Sequence, residues 1–386
     1  MSWIERGEHR NSLIQRGVGV NNLFLTTVIG TATGICTPFI AGSMLLIIDW
    51  LNSSLRAFLS LTVIAGMLLA YLLWRFSKVI PGSGTDIYAS LSIKIRPVDS
   101  AFKYISTILT IGLGGSGGLV GPLFFISSGS SFLVSVRNRT AVKIASGAGM
   151  VSAYTGAPLT AAVLACEYTH KDGLDYRYLM PALFSSVIAR WFSSLLRITP
   201  VFFIHSTRFQ ERLSFSEVIL IVTLGVIFGG AGLGMYFLWK LYGKLLRRVS
   251  SVFLSFALSG VVLCGIGIVF GSEVLGLRGV QNGSQPLAFA LGKAMSSVVT
   301  IGGGGSAGFF TPCVLVGKHL GMAFSQLGFN QSVCVVVGIS AMISSVLNAP
   351  LAAILLPVEL LGVSALIPAV LGSTVSYLIY RRFRIE

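Results

Sequence analysis

The chain has 386 residues, 54% of them hydrophobic and only 11% charged, with a net charge of +15. Soluble domains carry about 25% charged residues, and thirteen carboxylates cannot cover a soluble surface of this size. The basic residues sit between long apolar runs rather than in stripes. Composition therefore excludes a soluble enzyme and a nucleic-acid binder, and it points to an integral membrane protein that crosses the bilayer as helices.

Residues 1–21 are polar, carry Arg6, Arg10 and Arg16, and show no cleavable signal pattern, so a cytoplasmic interfacial helix is expected there. Hydrophobic stretches follow at Asn22–Ile48 and Phe58–Phe76. After Pro81-Gly82-Ser83-Gly84 the segments shorten and glycine interrupts them: Phe102–Ile111, Leu123–Val136, Ala145–Cys166 and Leu179–Leu196. A more polar linker, 198–216, separates this first half, 22–197, from a second, 217–380. The second half runs through Val218–Leu238, Val252–Phe270, Leu287–Val299, Cys313–Leu327, Val333–Leu347 and Leu351–Tyr380, and 381–386 form a short cytoplasmic tail with no regulatory domain expected behind it. Clusters at His170-Lys171 with Arg177, at Lys240, Lys244, Arg247 and Arg248, and at Arg381, Arg382 and Arg384 flank these runs. By the positive-inside rule they place both termini in the cytoplasm and account for much of the net charge without an anionic partner. The five cysteines lie in apolar context with no metal-ligand spacing and read as small apolar residues.

The two halves repeat one another. The thirteen residues from Thr110 to Pro122 align without gaps on Thr300 to Pro312, with eight identities. Gly156-Ala157-Pro158-Leu159 matches Asn348-Ala349-Pro350-Leu351, and nine residues after each proline stands a glutamate, Glu167 and Glu359. Paired Gly/Pro-interrupted segments in two halves point to a transport site near the membrane midplane. Glycine frees the backbone to begin a helix inside the membrane, where its first free N–H groups and its dipole favour an anion. No Lys or Arg stands within the motifs, and a fixed cation there would hold an anion too tightly for fast passage. Glycine runs also serve close helix packing; their duplication, each ending in Pro122 or Pro312, favours the anion site.

These residues resemble the CLC family of chloride channels and chloride/proton antiporters. Gly82-Ser83-Gly84-Thr85-Asp86 resembles the family's GSGIP segment, Gly118-Leu119-Val120-Gly121-Pro122 its G(K/R)EGP, and Gly308-Phe309-Phe310-Thr311-Pro312 its GxFxP. The resemblance spans roughly Asn22 to Tyr380. It implies an all-α fold of tilted, broken helices in two inverted-topology repeats, forming a homodimer with one pore per subunit. It implies that Ser83 and the backbone N–H groups of Phe309 and Phe310 coordinate a central chloride, with Gly84 and Gly308 beside them, and that Leu119, Val120 and Gly121 line an outer site. No cofactor is implied beyond the transported chloride. A serine at position 83 favours chloride over fluoride.

The departures from the family pattern bear on mechanism. The family's gating glutamate, which carries the proton, is Val120 here, and the antiporters' internal proton relay falls on Tyr168. Glu167 precedes that position; its counterpart Glu359 argues for a shared structural job, such as hydrogen bonding to helix ends. Asp86 near the start of the next helix reads as a helix-dipole charge. The family's last helix brings a tyrosine to the chloride; the chain ends before it, and Tyr377 and Tyr380 are the nearest substitutes. The resulting expectation is passive, proton-uncoupled chloride transport in a prokaryotic inner membrane. Two rivals stand: an antiporter with a relocated proton path through Glu167 or His170, and a non-conducting scaffold or sensor. An enzyme reading finds no nucleophile–base pair, metal cluster or nucleotide-binding loop.

Overall fold

The computed structural model describes residues 23–77, 81–90, 95–131, 139–169, 176–202, 215–249, 251–278 and 285–383. The expected N-terminal helix, most of the polar linker and His170 lie outside them. All the regular structure among the described residues is helical. The first half contains α1 (Leu23–Ser54), α2 (Leu59–Ser77), α3 (Thr85–Ala89), α4 (Pro97–Gly112), α5 (Val120–Ser130), α6 (Arg139–Thr155), α7 (Pro158–Glu167) and α8 (Tyr176–Leu195). The second contains α9 (Phe215–Leu246), α10 (Val252–Phe270), α11 (Pro286–Gly302), α12 (Phe310–Ser325), α13 (Gln331–Leu347), α14 (Pro350–Leu361) and α15 (Leu366–Tyr380).

Two apolar runs that read as single segments are each two helices. Ala145–Cys166 breaks between α6 and α7, and Leu351–Tyr380 breaks between α14 and α15. Gly156, at φ 79°, and Asn348, at φ 57°, occupy the same place in the two repeats, after α6 and α13. Both take the left-handed conformation that ends a helix, which glycine and asparagine tolerate best. Pro158 and Pro350 then begin the next helix, where a missing N–H costs nothing.

Five helical spans, including Arg56–Ser77 and Phe215–Leu246, are long and apolar enough to cross a membrane. Their outer faces carry exposed Leu61, Phe76, Val226, Phe237, Val261 and Ile268, as expected of helices against lipid. The shorter helices α5, α6, α7, α12 and α13 are the most buried and form the centre. Small residues let them approach. A methyl on Gly317 or Gly338 would collide with the other's backbone, so α12 and α13 touch main chain to main chain, the packing mode that serves where lipid supplies no hydrophobic drive between helices.

The halves are related by a two-fold axis, visible in contacts that occur in reciprocal pairs. Glu167, at the end of α7, accepts hydrogen bonds from the Leu351 and Ala352 amides at the start of α14 (3.0 and 3.1 Å). Glu359, near the end of α14, accepts from the Leu159 and Thr160 amides at the start of α7 (both 2.7 Å). Each C-terminal end reaches the other's N-terminal end, so α7 and α14 run antiparallel. Equivalent helices that run in opposite senses give the repeats inverted topology.

Candidate anion site

The two long glycine motifs meet at this axis. Gly118 N–H donates to the Gly308 carbonyl and Gly308 N–H to the Gly118 carbonyl, each at 2.8 Å. Both residues must be glycine, because a Cβ on Gly118 would collide with the Thr311 side chain and one on Gly308 would lie 2.9 Å from the Gly121 nitrogen. Immediately after this bridge α5 begins at Val120 and α12 at Phe310. Two helix N-termini therefore open at the same buried place, with Leu119, Val120 and Phe310 all 1% exposed or less. Pro122 and Pro312 are the third residue of their helices, within the first turn, where a proline removes no intrahelical bond. The first-turn amides of Val120, Gly121, Phe310 and Thr311 have no intrahelical acceptor. They face an interior where an anion without donors would be prohibitively costly.

Ser83 joins this cluster from the first half. A methyl on Gly121 would collide with Ser83 Oγ, so the serine hydroxyl rests on the first turn of α5. Gly84 packs against Phe125 of the same helix, and Gly82 N–H donates to the Gly304 carbonyl (3.4 Å) in the second motif. Asp86 sits in the first turn of α3, where a carboxylate suits the helix dipole. Phe309 is half-buried and packs edge-on against Trp239 at 5.4 Å. The fold thus brings together Ser83, Gly84, Leu119, Val120, Gly121, Gly308, Phe309 and Phe310 from three separated segments.

A polar stripe that the motif reading missed supports the glycine loops. On α4, Lys103, Thr107 and Thr110 share one face; on α11, Lys293, Ser297 and Thr300 do the same. All six are buried. Ser306 N–H donates to Thr110 Oγ1 (3.2 Å) and Ser116 N–H to Thr300 Oγ1 (2.9 Å). Thr107 and Ser306 hydroxyls pair at 2.7 Å, as do those of Ser297 and Ser116 at 3.0 Å. Lys103 Nζ donates to the Gly82 carbonyl (2.5 Å) and Lys293 Nζ to the Gly276 carbonyl (2.7 Å). The sequence carries the signal as Lys-x3-Thr/Ser-x2-Thr in both repeats, a spacing that lines one helix face. The motifs hold no Lys or Arg, yet Lys103 places its amine on the carbonyl of Gly82, the residue beside Ser83.

The tyrosines of the last helix are not at this site. Tyr380 donates to the Val226 carbonyl (2.6 Å) and Tyr377 stacks under Arg381. Val226 lies thirteen residues before Trp239 on α9, about 20 Å along a helix. α15 runs beside α9 and carries its tyrosines to that far end. A different tyrosine hydroxyl, Tyr154 of α6, sits at the motif junction, bonded to Thr311 Oγ1 at 2.7 Å.

One turn after Val120 on α5, the contacts from Phe124 toward Tyr168 are aromatic. Tyr88 stacks on Phe124 at 4.2 Å, Phe124 meets the Tyr168 ring edge-on at 5.5 Å, and Tyr88 donates to the Ala165 carbonyl (3.0 Å). Glu167 beside Tyr168 is committed to the amides of α14.

The comparisons with known proteins agree with this architecture. The profile of the voltage gated chloride channel family matches residues 101–381. The chain is 26% identical over 382 residues to an uncharacterized protein of Methanocaldococcus jannaschii, covering 92% of this chain and 91% of that one. It is 26% identical over 339 residues to the voltage-gated ClC-type chloride channel ClcB of Salmonella dublin, covering 80% of each. Its fold superposes with a TM-score of 0.84, at 18% identity, on the crystal structure of a CLC-type fluoride/proton antiporter, covering 95% of this chain and 98% of the other. On its sequence and its inverted helical repeats, the chain belongs to the voltage-gated chloride channel (CLC) family of membrane anion transport proteins.

Proposed function

We propose that this protein carries chloride passively across the membrane, without coupled proton movement, past Ser83 and the facing N-termini of α5 and α12. The observation that carries the reading is Val120. It is fully buried at the first position of α5, beside the anion site, and brings no titratable group there to move a proton. The aromatic stack of Tyr88, Phe124 and Tyr168 supports it, since none of these groups relays protons readily near neutral pH. Ser83, resting on the α5 first turn, supplies a hydroxyl donor to an anion held by backbone amides.

The rival reading is proton-coupled exchange, the activity that the CLC-type fluoride/proton antiporter of similar fold is named for. In this chain it would fall to Glu167, whose oxygens already accept two amides, or to His170, which lies outside the described residues. Purified protein in liposomes with chloride and proton fluxes recorded together separates the two. Chloride efflux with no proton movement supports the passive reading; uphill proton movement driven by a chloride gradient refutes it; and no flux above empty liposomes supports a non-conducting scaffold.

The same reading has both termini in the cytoplasm, on the positive-inside rule, and expects a prokaryotic inner membrane. It also expects a second copy of the chain beside this one, with one pathway in each.

A further inference from the structure

The Tyr154 hydroxyl stands at a place that none of the motifs identifies. Tyr154 lies in the last turn of α6 and is fully buried. Its hydroxyl is 2.7 Å from Thr311 Oγ1, the second residue of α12, and the Leu119 backbone amide, at the start of α5, is a second polar neighbour of the same oxygen. Thr311 in turn lies against Gly118, the residue that bridges the two motifs. One phenol therefore touches both helix N-termini at once. Its ring is held by Phe202 (6.3 Å), which also packs on Phe310 (6.2 Å), and its carbonyl accepts from Val201 N–H (2.9 Å).

A partly exposed ion pair flanks this point on one side. Arg278 and Asp49 form an ion pair (2.8 Å) with side chains 33% and 30% exposed, and Arg278 also reaches the Thr199 and Pro200 carbonyls (both 3.4 Å). Those carbonyls immediately precede Val201, which is bonded to Tyr154. The phenol therefore lies between a partly exposed arginine and the free amides of α5 and α12.

We propose that Tyr154 is a selectivity residue of the anion pathway: its hydroxyl donates to an anion at the α5 and α12 N-termini, and it turns to Thr311 when no anion is there. The inference rests on the anion pathway proposed above. A hydroxyl rotates about its C–O bond, so the change of partner needs no movement of a buried ring. A short O–H donor favours a compact, strongly hydrated anion such as chloride over a diffuse one such as thiocyanate, because the donor must replace lost water. Valine at position 120 makes room for this arrangement, since it brings neither charge nor hydrogen-bonding group to the same place.

The test is Tyr154→Phe, which removes one oxygen and leaves the ring in its packing. Chloride and thiocyanate fluxes are measured in liposomes alongside the wild type and Ser152→Ala, which removes a buried hydroxyl of the same helix that is bonded to the Ser186 carbonyl (2.6 Å). The expected result is a fall in the chloride/thiocyanate flux ratio of about three- to ten-fold for Tyr154→Phe, the worth of one lost hydrogen bond, with the ratio kept in Ser152→Ala. An unchanged ratio in Tyr154→Phe overturns the proposal, as does an equal loss in Ser152→Ala, which marks the effect as a general disturbance of α6. Should Tyr154→Phe not fold, 3-fluorotyrosine placed at position 154 gives a 19F signal. That signal is expected to shift on titration with chloride and not with gluconate, and its failure to shift in flux-competent protein overturns the proposal. A wild type without chloride flux overturns both the pathway and this inference, whereas wild-type flux with an unaltered variant overturns this inference alone.

Discussion

Replacing Glu167 and Glu359 in turn by glutamine asks whether a carboxylate inside the membrane is there to move protons or to hold helices. The pair is suited to the question because the two residues are equivalent in the repeats and do the same thing. Glu167 accepts two amides of α14 at 3.0 and 3.1 Å. Glu359 accepts two amides of α7 at 2.7 Å and the Thr160 hydroxyl at 2.6 Å. A buried bond of this kind is worth about 1–3 kcal/mol when one partner is lost. Glutamine keeps one accepting oxygen and turns an NH2 donor toward an N–H donor. Glu167→Gln should then cost about 1–3 kcal/mol of stability and Glu359→Gln, with one more and shorter bonds, about 2–4 kcal/mol. Reversible unfolding in mixed detergent–SDS micelles measures both, and liposome assays measure chloride and proton flux on the same preparations. Both variants should lose stability in that order and keep chloride flux within a few-fold of wild type. The reasoning is refuted if Glu167→Gln abolishes proton or chloride movement at unchanged stability while Glu359→Gln leaves transport intact, because a shared capping role predicts like effects at the two sites.

Ser83→Ala removes a hydroxyl that rests on the first turn of α5, so the relative fluxes of chloride, nitrate and fluoride should shift; unchanged ratios remove Ser83 from the anion's contacts. Val120→Glu places a carboxylate on the free amides of α5, where the helix N-terminus favours its charged form. Flux should fall at neutral pH, as the carboxylate competes with the anion, and recover toward acid pH as it is protonated. Wild-type flux that does not respond to pH in this variant would show that position 120 does not face the pathway.

Much of the fold is legible in the sequence because a bilayer narrows the choices. Apolar run length gives the spans, such as Val252–Phe270, which matches α10 at both ends. Where a run hides two helices, as at Gly156 and Gly362, hydropathy alone cannot separate them; the break lies at a single glycine with positive φ. The duplicated glycine motifs are a matter of residue spacing and stand in the letters themselves, as do the valine at 120 and the tyrosine at 168. The reciprocal stripe of Lys103 and Lys293 is equally present there, but hydropathy averages two buried lysines away among apolar neighbours.

The sequence by itself determined that the protein is a membrane-embedded helical duplication with backbone-rich motifs, since composition, periodicity and repetition are local properties of the chain. Only the tertiary structure decided which motifs meet. Gly118 and Gly308 are 190 residues apart in the chain, and they exchange hydrogen bonds because a two-fold axis brings the halves together. The same axis commits Glu167 to a helix end and puts Tyr154, not Tyr377 or Tyr380, beside the facing helix N-termini. A side chain's own neighbourhood does not name its partner across the two-fold, because that partner lies in the other half of the chain.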